Sequence, residues 1–250
     1  MSALRLTFLG TGDAWVSGGA GNSAVLAEYG GRRLLVECGP TVPLALARLG
    51  LVARDLDGVL VTHRHGDHLG GLPFLLLAAD DAGSPRELPI LGPPGLGEQV
   101  LAVARALYPD GRLDFGFAHH ETLVPGASTT VAGFAVEALA VHHMSPAFVC
   151  LGYRVSAGGR SFAYTGDAGP RSDLEALARG VDLLVTECTL AASPEGKPDR
   201  GHTSVDDVRE RLAQAGAGRV VLTHLSRESR ARARELAGVV VASDGLVVDV

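Results

Sequence analysis

Four side chains that can bind a metal ion lie close together near the end of the first quarter of the chain. They are His63, His65, Asp67 and His68. Imidazole nitrogens suit zinc and similar ions, and a carboxylate adds negative charge and can hold a second ion. The chain has 9 histidines, and chance placement of this pattern is roughly a one-in-a-thousand event, so we interpret it as a metal site.

The segments on either side predict how these ligands are positioned. Leu56 to Val61 ends in an apolar, β-branched run that predicts a buried strand. Leu69 to Ala79 predicts a helix with Pro73 in its first turn, where a missing N–H costs little. Because side chains alternate along an extended chain, His63 and His65 face the same side. The turn that follows lets the other two ligands approach the same pocket from another direction.

This stretch also resembles a known family. Its His-x-His-x-Asp-His pattern is similar to the signature of metallo-β-lactamase-fold hydrolases. Thr62 and the continuation Leu69-Gly70-Gly71-Leu72-Pro73 resemble the ribonuclease Z-like branch of that family. The resemblance extends over most of the chain, and it implies a four-layer αββα sandwich of two mixed β sheets.

The order of the predicted elements agrees with that fold class. Strand-rich and helix-rich stretches alternate twice, which favours an α/β (α+β) protein with two sheets face to face and helices outside. With 250 residues and no linker-like segment, we expect a single domain over residues 1–250. We also expect helices over Val42 to Leu49, with Thr41 as its N-cap, over Leu96 to Leu107 and over Val205 to Ala215, and one strand over Thr129 to Val141.

Further ligand candidates follow predicted strands later in the chain. His142 and His143 lie on opposite faces after the strand that ends at Val141, so strand geometry leaves both open. Family members tend to show an apolar residue, any residue and then the ligand, which favours His143. Tyr164-Thr165-Gly166-Asp167 resembles the family's Ser-Gly-Asp-Thr segment, and Leu222-Thr223-His224-Leu225-Ser226 resembles its last ligand segment.

Carried over residue by residue, the resemblance implies two metal sites. The first would consist of His63, His65 and His143. The second would consist of Asp67, His68 and His224, with Asp167 shared by both. The expected cofactors are two Zn²⁺ ions, with Mn²⁺ as the alternative, because the diiron redox branch of the fold carries glutamate at position 65. Two such ions, about 3.5–4 Å apart, would activate a water molecule for hydrolysis.

A second pair of residues resembles the acid–base pair of the ribonuclease Z-like branch. Leu184-Val185-Thr186-Glu187-Cys188-Thr189 resembles its His-Glu-Ala-Thr segment, and Gly201-His202-Thr203-Ser204 resembles its His-Ser-Thr segment with the last two residues exchanged. Carried over, His202 would protonate the leaving oxygen and Glu187 would orient it. Asp67 completes the expected catalytic set through the second metal site. The alternative is a buried ion pair that holds the start of a helix.

Composition limits the partners and the cellular location. The net charge is −6 and Lys197 is the only lysine, whereas nucleic-acid binders usually carry a basic surface. No apolar run reaches the roughly 18 residues of a membrane span. The separated Cys38, Cys150 and Cys188 are typical of a reduced, cytoplasmic protein. We expect a small-molecule substrate; nucleic acid is a less favoured partner, and a homodimer is left open.

Three other features are interpreted without a catalytic role. The glycine-rich loop from Gly10 to Gly21 is either a plain connection or, by resemblance, a loop beside the active site with Trp15 as a mobile wall of the substrate cleft. Glu37 is interpreted as structural. The adjacent His119 and His120 have no spacing partner and are interpreted as exposed loop residues.

Together these features predict a dinuclear metal-dependent hydrolase. The favoured function is that of a ribonuclease Z-like phosphodiesterase that acts on small phosphodiesters such as cyclic nucleotides. The alternatives are a tRNA 3′-processing endoribonuclease, a lactone, thioester or sulfate ester hydrolase on the same metals, and a non-catalytic ligand-binding member. Ribonuclease Z enzymes usually carry a tRNA-gripping arm between the equivalents of His143 and Asp167. Here the interval is only 167 − 143 = 24 positions, which leaves no room for an arm.

Overall fold

The computed structural model describes residues 3–83, 86–111, 113, 115–144, 147–198, 200–211 and 216–250. The strands, in chain order, are β1 (Arg5–Gly10), β2 (Ala24–Tyr29), β3 (Arg32–Val36), β4 (Gly58–Leu60), β5 (Leu88–Gly92), β6 (Ala118–Thr122), β7 (Ser128–Val131), β8 (Phe134–Ala140), β9 (Leu151–Ala157), β10 (Arg160–Tyr164), β11 (Leu183–Glu187), β12 (Arg219–Thr223), β13 (Val240–Val241) and β14 (Val247–Asp249). The helices are α1 (Val42–Arg48), α2 (Gly66–Leu69), α3 (Leu72–Asp81), α4 (Leu96–Leu107), α5 (Leu174–Ala178), α6 (Val205–Arg211) and α7 (Arg227–Ala233), with a 3₁₀ turn at Ala53–Asp55.

Both sheets mix parallel and antiparallel pairs. The first has the order β14-β1-β2-β3-β4-β5-β6, and the second has the order β13-β12-β11-β10-β9-β8-β7. In the first sheet β1 to β3 and β14 pair antiparallel, while β3 to β6 run parallel. In the second, β7 to β10 pair antiparallel and β10 to β13 run parallel. The predicted fold class of two mixed sheets is therefore confirmed.

Three apolar clusters account for the four layers. The central cluster joins the inner faces of the two sheets, with Phe8 and Val36 of the first sheet packed with Tyr153 and Phe162 of the second. A second cluster packs α1, α3 and α4 on the outer face of the first sheet. A third packs α5, α6 and α7 on the outer face of the second sheet. Burial of apolar surface on both faces of each sheet thus produces the predicted αββα arrangement.

Several local predictions need correction. The segment predicted as one strand over Thr129 to Val141 is a hairpin, β7 and β8, because Ala132 and Gly133 both have positive φ. Thr41 occupies the N-cap position of α1 as predicted, but its side chain makes no capping hydrogen bond; its hydroxyl instead accepts a 2.8 Å hydrogen bond from the backbone N–H of Asn22. The helix predicted over Leu69 to Ala79 is not continuous, because α2 ends at Leu69 and α3 begins only at Leu72.

Other predictions hold at the level of the element. The helix over Leu96–Leu107 has the same bounds as predicted. Helix α6 begins at Val205 as predicted, and the Ser204 side chain accepts a 3.2 Å bond from the Asp207 N–H at its start. The predicted end of this helix, residues 212–215, lies outside the described residues.

His119 and His120 lie on the edge strand β6 rather than in a loop, and both are exposed.

One edge of the sandwich collects the chemically important segments. Strands β10, β11 and β12 run parallel, so their carboxyl ends lie side by side. The turn after β4 reaches the same edge through a 3.0 Å hydrogen bond from the Leu151 N–H to the Thr62 carbonyl. Two glycines allow close approach there: a Cβ at Gly39 would lie 2.0 Å from the Asp67 carbonyl oxygen, and a Cβ at Gly166 would lie 2.6 Å from the Thr62 hydroxyl.

Two further observations concern the predicted cellular context. Within the described ranges, no helix has both the length and the apolar character needed to cross a lipid bilayer. The three cysteines, Cys38, Cys150 and Cys188, are free thiols and are buried.

Candidate metal centre

The first group of ligand atoms lies where β4, β8 and β10 end. Nδ1 of His65 lies 3.0 Å from Nε2 of His63 and 3.1 Å from Nε2 of His143. Oδ2 of Asp167 lies 3.8 Å from Nε2 of His63 and 3.7 Å from Nε2 of His143. We name these four side chains group one; their ligand atoms all lie within 4.8 Å of one another, close enough to share an ion.

The second group lies beside the first and uses the other oxygen of the same carboxylate. Nε2 of His68 lies 3.0 Å from Oδ2 of Asp67 and 3.3 Å from Oδ1 of Asp167. Nε2 of His224 lies 3.3 Å from each of these two oxygens. We name Asp67, His68, Asp167 and His224 group two. Asp167 therefore presents one oxygen to each group, the geometry of a bridging ligand.

A buried carboxylate orients one of these histidines from behind and lies close to a second. Glu37 is fully buried, and its Oε1 accepts a 2.5 Å hydrogen bond from the Thr62 hydroxyl. Because that hydroxyl proton is committed to Glu37, its oxygen accepts from Nδ1–H of His63, 3.0 Å away. The hydrogen-bond network thus assigns the tautomer that leaves Nε2 of His63 free for a metal. Glu37 Oε1 also lies 3.2 Å from Nδ1 of His68.

A second buried carboxylate, that of Glu187, orients His224 through the Thr189 hydroxyl. The Thr189 hydroxyl donates to Oε2 of Glu187 at 2.6 Å and accepts from Nδ1 of His224 at 2.8 Å. Nδ1 of His143 is held by the backbone carbonyl of Gly201 at 2.7 Å. Both histidines therefore turn Nε2 toward the two groups, as second-sphere contacts of metal ligands commonly arrange.

His202 lies at the open side of this arrangement. Its Nδ1 donates to Oε1 of Glu187 at 2.9 Å, and its ring lies 4.8 Å from the ring of His143 and 5.7 Å from that of His224, measured between centroids. The His202 side chain is 29% exposed whereas Glu187 is buried. The imidazole thus reaches solvent at the mouth of the site while its carboxylate partner is held inside.

Glu187, His202 and His224 also approach one another closely enough to suggest a third ion site. The Glu187 carboxylate is already saturated, however. It accepts hydrogen bonds from the backbone N–H groups of Ala168 and Thr189, from the Thr189 hydroxyl and from His202. Four hydrogen bonds occupy the usual acceptor positions of a carboxylate, so Glu187 is better suited to orient side chains than to bind an ion.

The protonation state of group one suits a cation. Burial lowers the pKa of His63 well below its ordinary value, and the neighbouring His68 lowers it further. Burial is also the largest cause of the lowered pKa of His65 and of His143. Burial raises the pKa of Asp167, but His224 and His68 outweigh it and the pKa ends well below its ordinary value. Neutral imidazoles facing an ionised carboxylate are the form that binds a metal.

The two carboxylates of group two, Asp67 and Asp167, shift the pKa values of the histidines around them. For Asp67, burial raises the pKa, but the close contacts with the imidazoles of His224 and His68 outweigh it and the net shift is downward. Burial lowers the pKa of His68 and of His224, yet the Asp167 carboxylate and its neighbours raise both overall. At His202, burial likewise lowers the pKa, and Glu187 reverses this and raises it to about 9.

Two buried polar atoms point to an ion at group two. Nε2 of His68 and Oδ1 of Asp167 lack a hydrogen bond among the described residues, although they lie 3.3 Å apart. Buried polar groups are rarely left in this state without an unseen partner. The mixture of imidazole and carboxylate donors in both groups fits zinc and related divalent ions. The residues therefore fit the metals that the sequence predicts.

The structure also separates the two adjacent histidines after β8. His143 enters group one, whereas His142 lies outside it and is tied through its backbone, with its N–H donating to Ser172 Oγ at 2.9 Å and its carbonyl accepting from Gly169 at 2.6 Å. Sequence reasoning missed the orienting roles of Thr62 and Thr189. Thr62 directly precedes His63 and Thr189 is the last residue of the segment that contains Glu187, so a threonine at the edge of a predicted site segment was the available signal.

One aromatic residue packs on the centre, and another lies on the loop between β1 and β2. Phe148, which sequence reasoning missed, stacks on His65 with centroids 5.0 Å apart and planes at 25°. The Arg64 guanidinium lies 5.3 Å from the Phe148 centroid and donates to Gln99 Oε1 at 2.9 Å. On another side, Trp15 lies on the glycine-rich loop and is 83% exposed. The expected mobility of that loop stays a prediction.

Comparison with known proteins places this geometry in context. Residues 32–225 match the family described as the beta-lactamase superfamily domain. The chain is 31% identical over 241 residues to the ribonuclease Z of Mycobacterium sp. (strain KMS). The match covers 88% of this chain and 84% of that protein.

Two solved structures are similar over nearly the whole chain. The metallo-β-lactamase fold protein YhfI from Bacillus subtilis has a TM-score of 0.81 and 26% identity, with 100% of both chains covered. The short form of human tRNase Z has a TM-score of 0.76 and 26% identity, covering 98% of this chain and 99% of the other. All residues of groups one and two lie within residues 32–225, the range that matches the family.

Proposed function

This chain belongs to the β-lactamase superfamily, and from that premise we propose that it is a dinuclear phosphodiesterase acting on small phosphodiesters. It is a metal-dependent hydrolase of the ribonuclease Z-like type. The observation that carries the narrower proposal is the His202–Glu187 pair, because it stands within ring contact of a histidine from each metal group.

The two groups would hold one ion each. Group one would supply His63, His65 and His143, group two would supply Asp67, His68 and His224, and Asp167 would serve both. We propose Zn²⁺ at both, with Mn²⁺ as the alternative, because imidazole nitrogens and carboxylate oxygens are mixed in each group. When bound, such ions activate water and neutralise charge on phosphate oxygens.

The remaining chemistry belongs to side chains of this protein. Because Nδ1 of His202 donates to Glu187, the second proton of the imidazolium is on Nε2, the atom left to face a substrate. His202 would give this proton to the leaving oxygen. An alkoxide is a poor leaving group and gains most from such an acid, which favours a phosphodiester over a thioester, whose thiolate leaves without a proton. Asp67 would act by keeping group two charged and in place.

The short segment between His143 and Asp167 supports a small substrate. Over residues 147–166 this interval contains the hairpin of β9 and β10 and its connections, and β9 and β10 pair in register from Arg160–Ala157 to Tyr164–Tyr153. Together with the net charge of −6, this offers little to grip a long polyanion, since affinity for nucleic acid rests largely on basic side chains that neutralise phosphates.

Processing of tRNA 3′ ends is the second candidate. The names of the mycobacterial ribonuclease Z and of human tRNase Z favour it, because both are similar to this chain over most of its length. In that case another surface would have to hold the tRNA body. Helix α7, which contains Arg227, Arg230 and Arg232, is the basic element nearest His224.

A substrate panel separates these functions. Zinc-loaded protein is assayed at low and at physiological salt with bis-(p-nitrophenyl) phosphate, a 2′,3′-cyclic nucleotide, a lactone, a thioester, a sulfate ester and a precursor tRNA with a 3′ trailer. We expect turnover of the first two and little trailer removal. Efficient and accurate trailer removal at physiological salt would establish the second candidate, and preference for a lactone, thioester or sulfate ester would refute the phosphodiesterase.

We also propose a cytoplasmic location, supported by three buried free thiols, and leave a homodimer as the assembly to be tested. Sedimentation of the purified protein across a tenfold range of concentration decides the assembly. A constant monomer mass would exclude the dimer.

A further inference from the structure

The loop between β1 and β2, residues 11–21, lies against the segments that supply group two. The Leu225 N–H, next to His224, donates to the Thr11 carbonyl at 3.0 Å. On the other side, Nδ2 of Asn22 donates to the Ala14 carbonyl at 3.4 Å. Asn22 in turn packs on Gly39, which approaches the Asp67 backbone. The first half of the loop is thus fixed beside both Asp67 and His224.

Side-chain contacts hold the rest of this loop. The Asp13 carboxylate accepts from the N–H and the hydroxyl of Ser17 at 2.8 and 2.7 Å. The Arg227 N–H donates to Ser17 Oγ at 3.2 Å, and its Nε donates to the Ser17 carbonyl at 3.3 Å. Asp244 joins the two ends of the loop, accepting from the Thr11 hydroxyl and from the Gly21 N–H, each at 2.7 Å. The tip is therefore clamped on both sides.

The clamped tip exposes the only tryptophan of the chain. Trp15 is 83% exposed, and the next residue, Val16, has φ of +48° and is itself 39% exposed. A β-branched residue in the left-handed region is strained, and such strain persists where the surroundings impose it, typically at binding sites. Backbone strain at Val16 thus accompanies a large aromatic ring exposed to water, on a loop whose backbone contacts the segments that supply group two.

We propose that Trp15 stacks on the nucleobase of a nucleotide substrate whose phosphodiester lies at groups one and two. This inference rests on the proposed phosphodiesterase function and narrows its substrate class. Stacking of a base on an aromatic side chain is strong and tolerant of base identity, because every base has a π face. A bare sugar phosphate offers no such face, so an exposed indole favours nucleotides over sugar phosphates.

The single tryptophan allows a direct binding test. Zinc-loaded protein is titrated with adenosine 5′-monophosphate and, separately, with ribose 5-phosphate, while the intrinsic tryptophan fluorescence is followed. We expect saturable quenching by the nucleotide and none by the sugar phosphate. Equal quenching by both ligands, or no quenching by the nucleotide, would overturn the proposal. This readout does not depend on turnover.

Kinetics of substitutions provide the second test. Trp15→Leu and Trp15→Phe are compared on 2′,3′-cyclic AMP and on 1-O-methylribose 2,3-cyclic phosphate, which has the same phosphodiester without a base. Loss of the indole should raise KM for the nucleotide by about tenfold, with a smaller effect for phenylalanine, and leave the base-free substrate unchanged. Phe74→Leu, an exposed aromatic on α3, is the matched control and should change neither KM.

The possible failures can be told apart. If the wild-type protein hydrolyses neither cyclic compound, the proposed function fails while the fluorescence titration still decides the role of Trp15. If Trp15→Leu affects both substrates equally, or affects neither, base stacking is refuted although the phosphodiesterase stands. Circular dichroism and metal content of each variant verify that the fold is intact.

Discussion

Oε1 of Glu37 accepts a 2.5 Å hydrogen bond from the Thr62 hydroxyl, and through this contact a fully buried carboxylate orients the first histidine of the motif. Glu37 was interpreted from the sequence as structural, and its φ of +68° indicates that the surroundings impose its backbone conformation. The same oxygen lies 3.2 Å from Nδ1 of His68, a residue of group two. Glu37 therefore positions His63 through Thr62 and places negative charge beside His68.

Replacing Glu37 should weaken metal binding without changing the reacting groups. In Glu37→Gln the amide keeps the shape but loses the negative charge behind His63 and His68, and loss of such a second-sphere partner typically lowers metal affinity on the order of 10–100-fold. Competition with a chromophoric chelator measures the zinc affinity. Glu28→Gln, at a carboxylate 3.0 Å from Arg33 on the neighbouring strand, is the control. Unchanged zinc affinity in Glu37→Gln would contradict the positioning role.

Metal content should reach two ions per chain. Elemental analysis after zinc titration should give two equivalents for the wild type, and Asp67→Ala should lose the ion of group two together with turnover, because Asp67 supplies one of that group's two carboxylates. Asp80→Ala, an exposed carboxylate at the end of α3, is the control and should keep both ions. Saturation of the wild type at one equivalent would remove Asp167 from its bridging role.

The two adjacent histidines should differ in the same measurement. His143→Ala should lose metal from group one, because its Nε2 lies 3.1 Å from Nδ1 of His65. His142→Ala should retain a full complement, since the contacts of His142 with Ser172 and Gly169 involve its backbone. If His142→Ala is the variant that loses metal, the placement of these two side chains is wrong.

Replacing His202 should lower the rate of hydrolysis and leave the metal content unchanged. Removal of a general acid costs on the order of 10²–10⁴ in rate, and His202→Ala should lose more with an alkyl leaving group than with p-nitrophenolate, which leaves without a proton. His119→Ala, an exposed histidine on β6, is the control. Loss of an ion in His202→Ala would instead make His202 a ligand, and an equal loss for both leaving groups would exclude proton donation.

The free energy of unfolding should depend on pH in the acid range because of Asp57, which is in neither metal group. Its carboxylate is 6% exposed and accepts from Arg32 Nη1 at 2.8 Å, from the Arg33 N–H at 2.9 Å and from Arg86. Burial raises the pKa of Asp57, but these hydrogen bonds outweigh it, so the folded-state pKa lies below the ordinary value of 3.8. A depressed pKa contributes stability above pH 3.8 that is lost as pH falls through the folded-state value.

Urea unfolding at several pH values measures this contribution. Asp57→Asn should lower the free energy of unfolding by about 1–3 kcal/mol at neutral pH, the usual cost of losing hydrogen bonds to a charged group. The difference from the wild type should shrink as the pH is lowered below 3.8. Asp80→Asn is the control and should differ little from the wild type at any pH. A difference that stays constant down to acid pH would refute the ionic contribution.

The sequence by itself determined the elements and the local motif. Helix α4 has the predicted bounds, Leu96–Leu107, because an apolar face recurs at helical spacing between glycine-rich ends. His63, His65, Asp67 and His68 lie within one turn, so their types and spacing carry the metal prediction without knowledge of the rest of the chain. The order of strands and helices was sufficient for the four layers, since each sheet must bury both faces.

Only the tertiary structure decided which distant residues complete the site. Glu37 reaches Thr62 across 25 positions, and the Trp15 loop is clamped because Ser17 and Arg227 meet across 210 positions. Such contacts depend on the register of strands and on how closely glycines let two backbones approach, and neither is encoded within a local window of sequence. The choice of His143 over His142 has the same cause, because β8 fixes the facing of its side chains only once it is paired with β7 and β9.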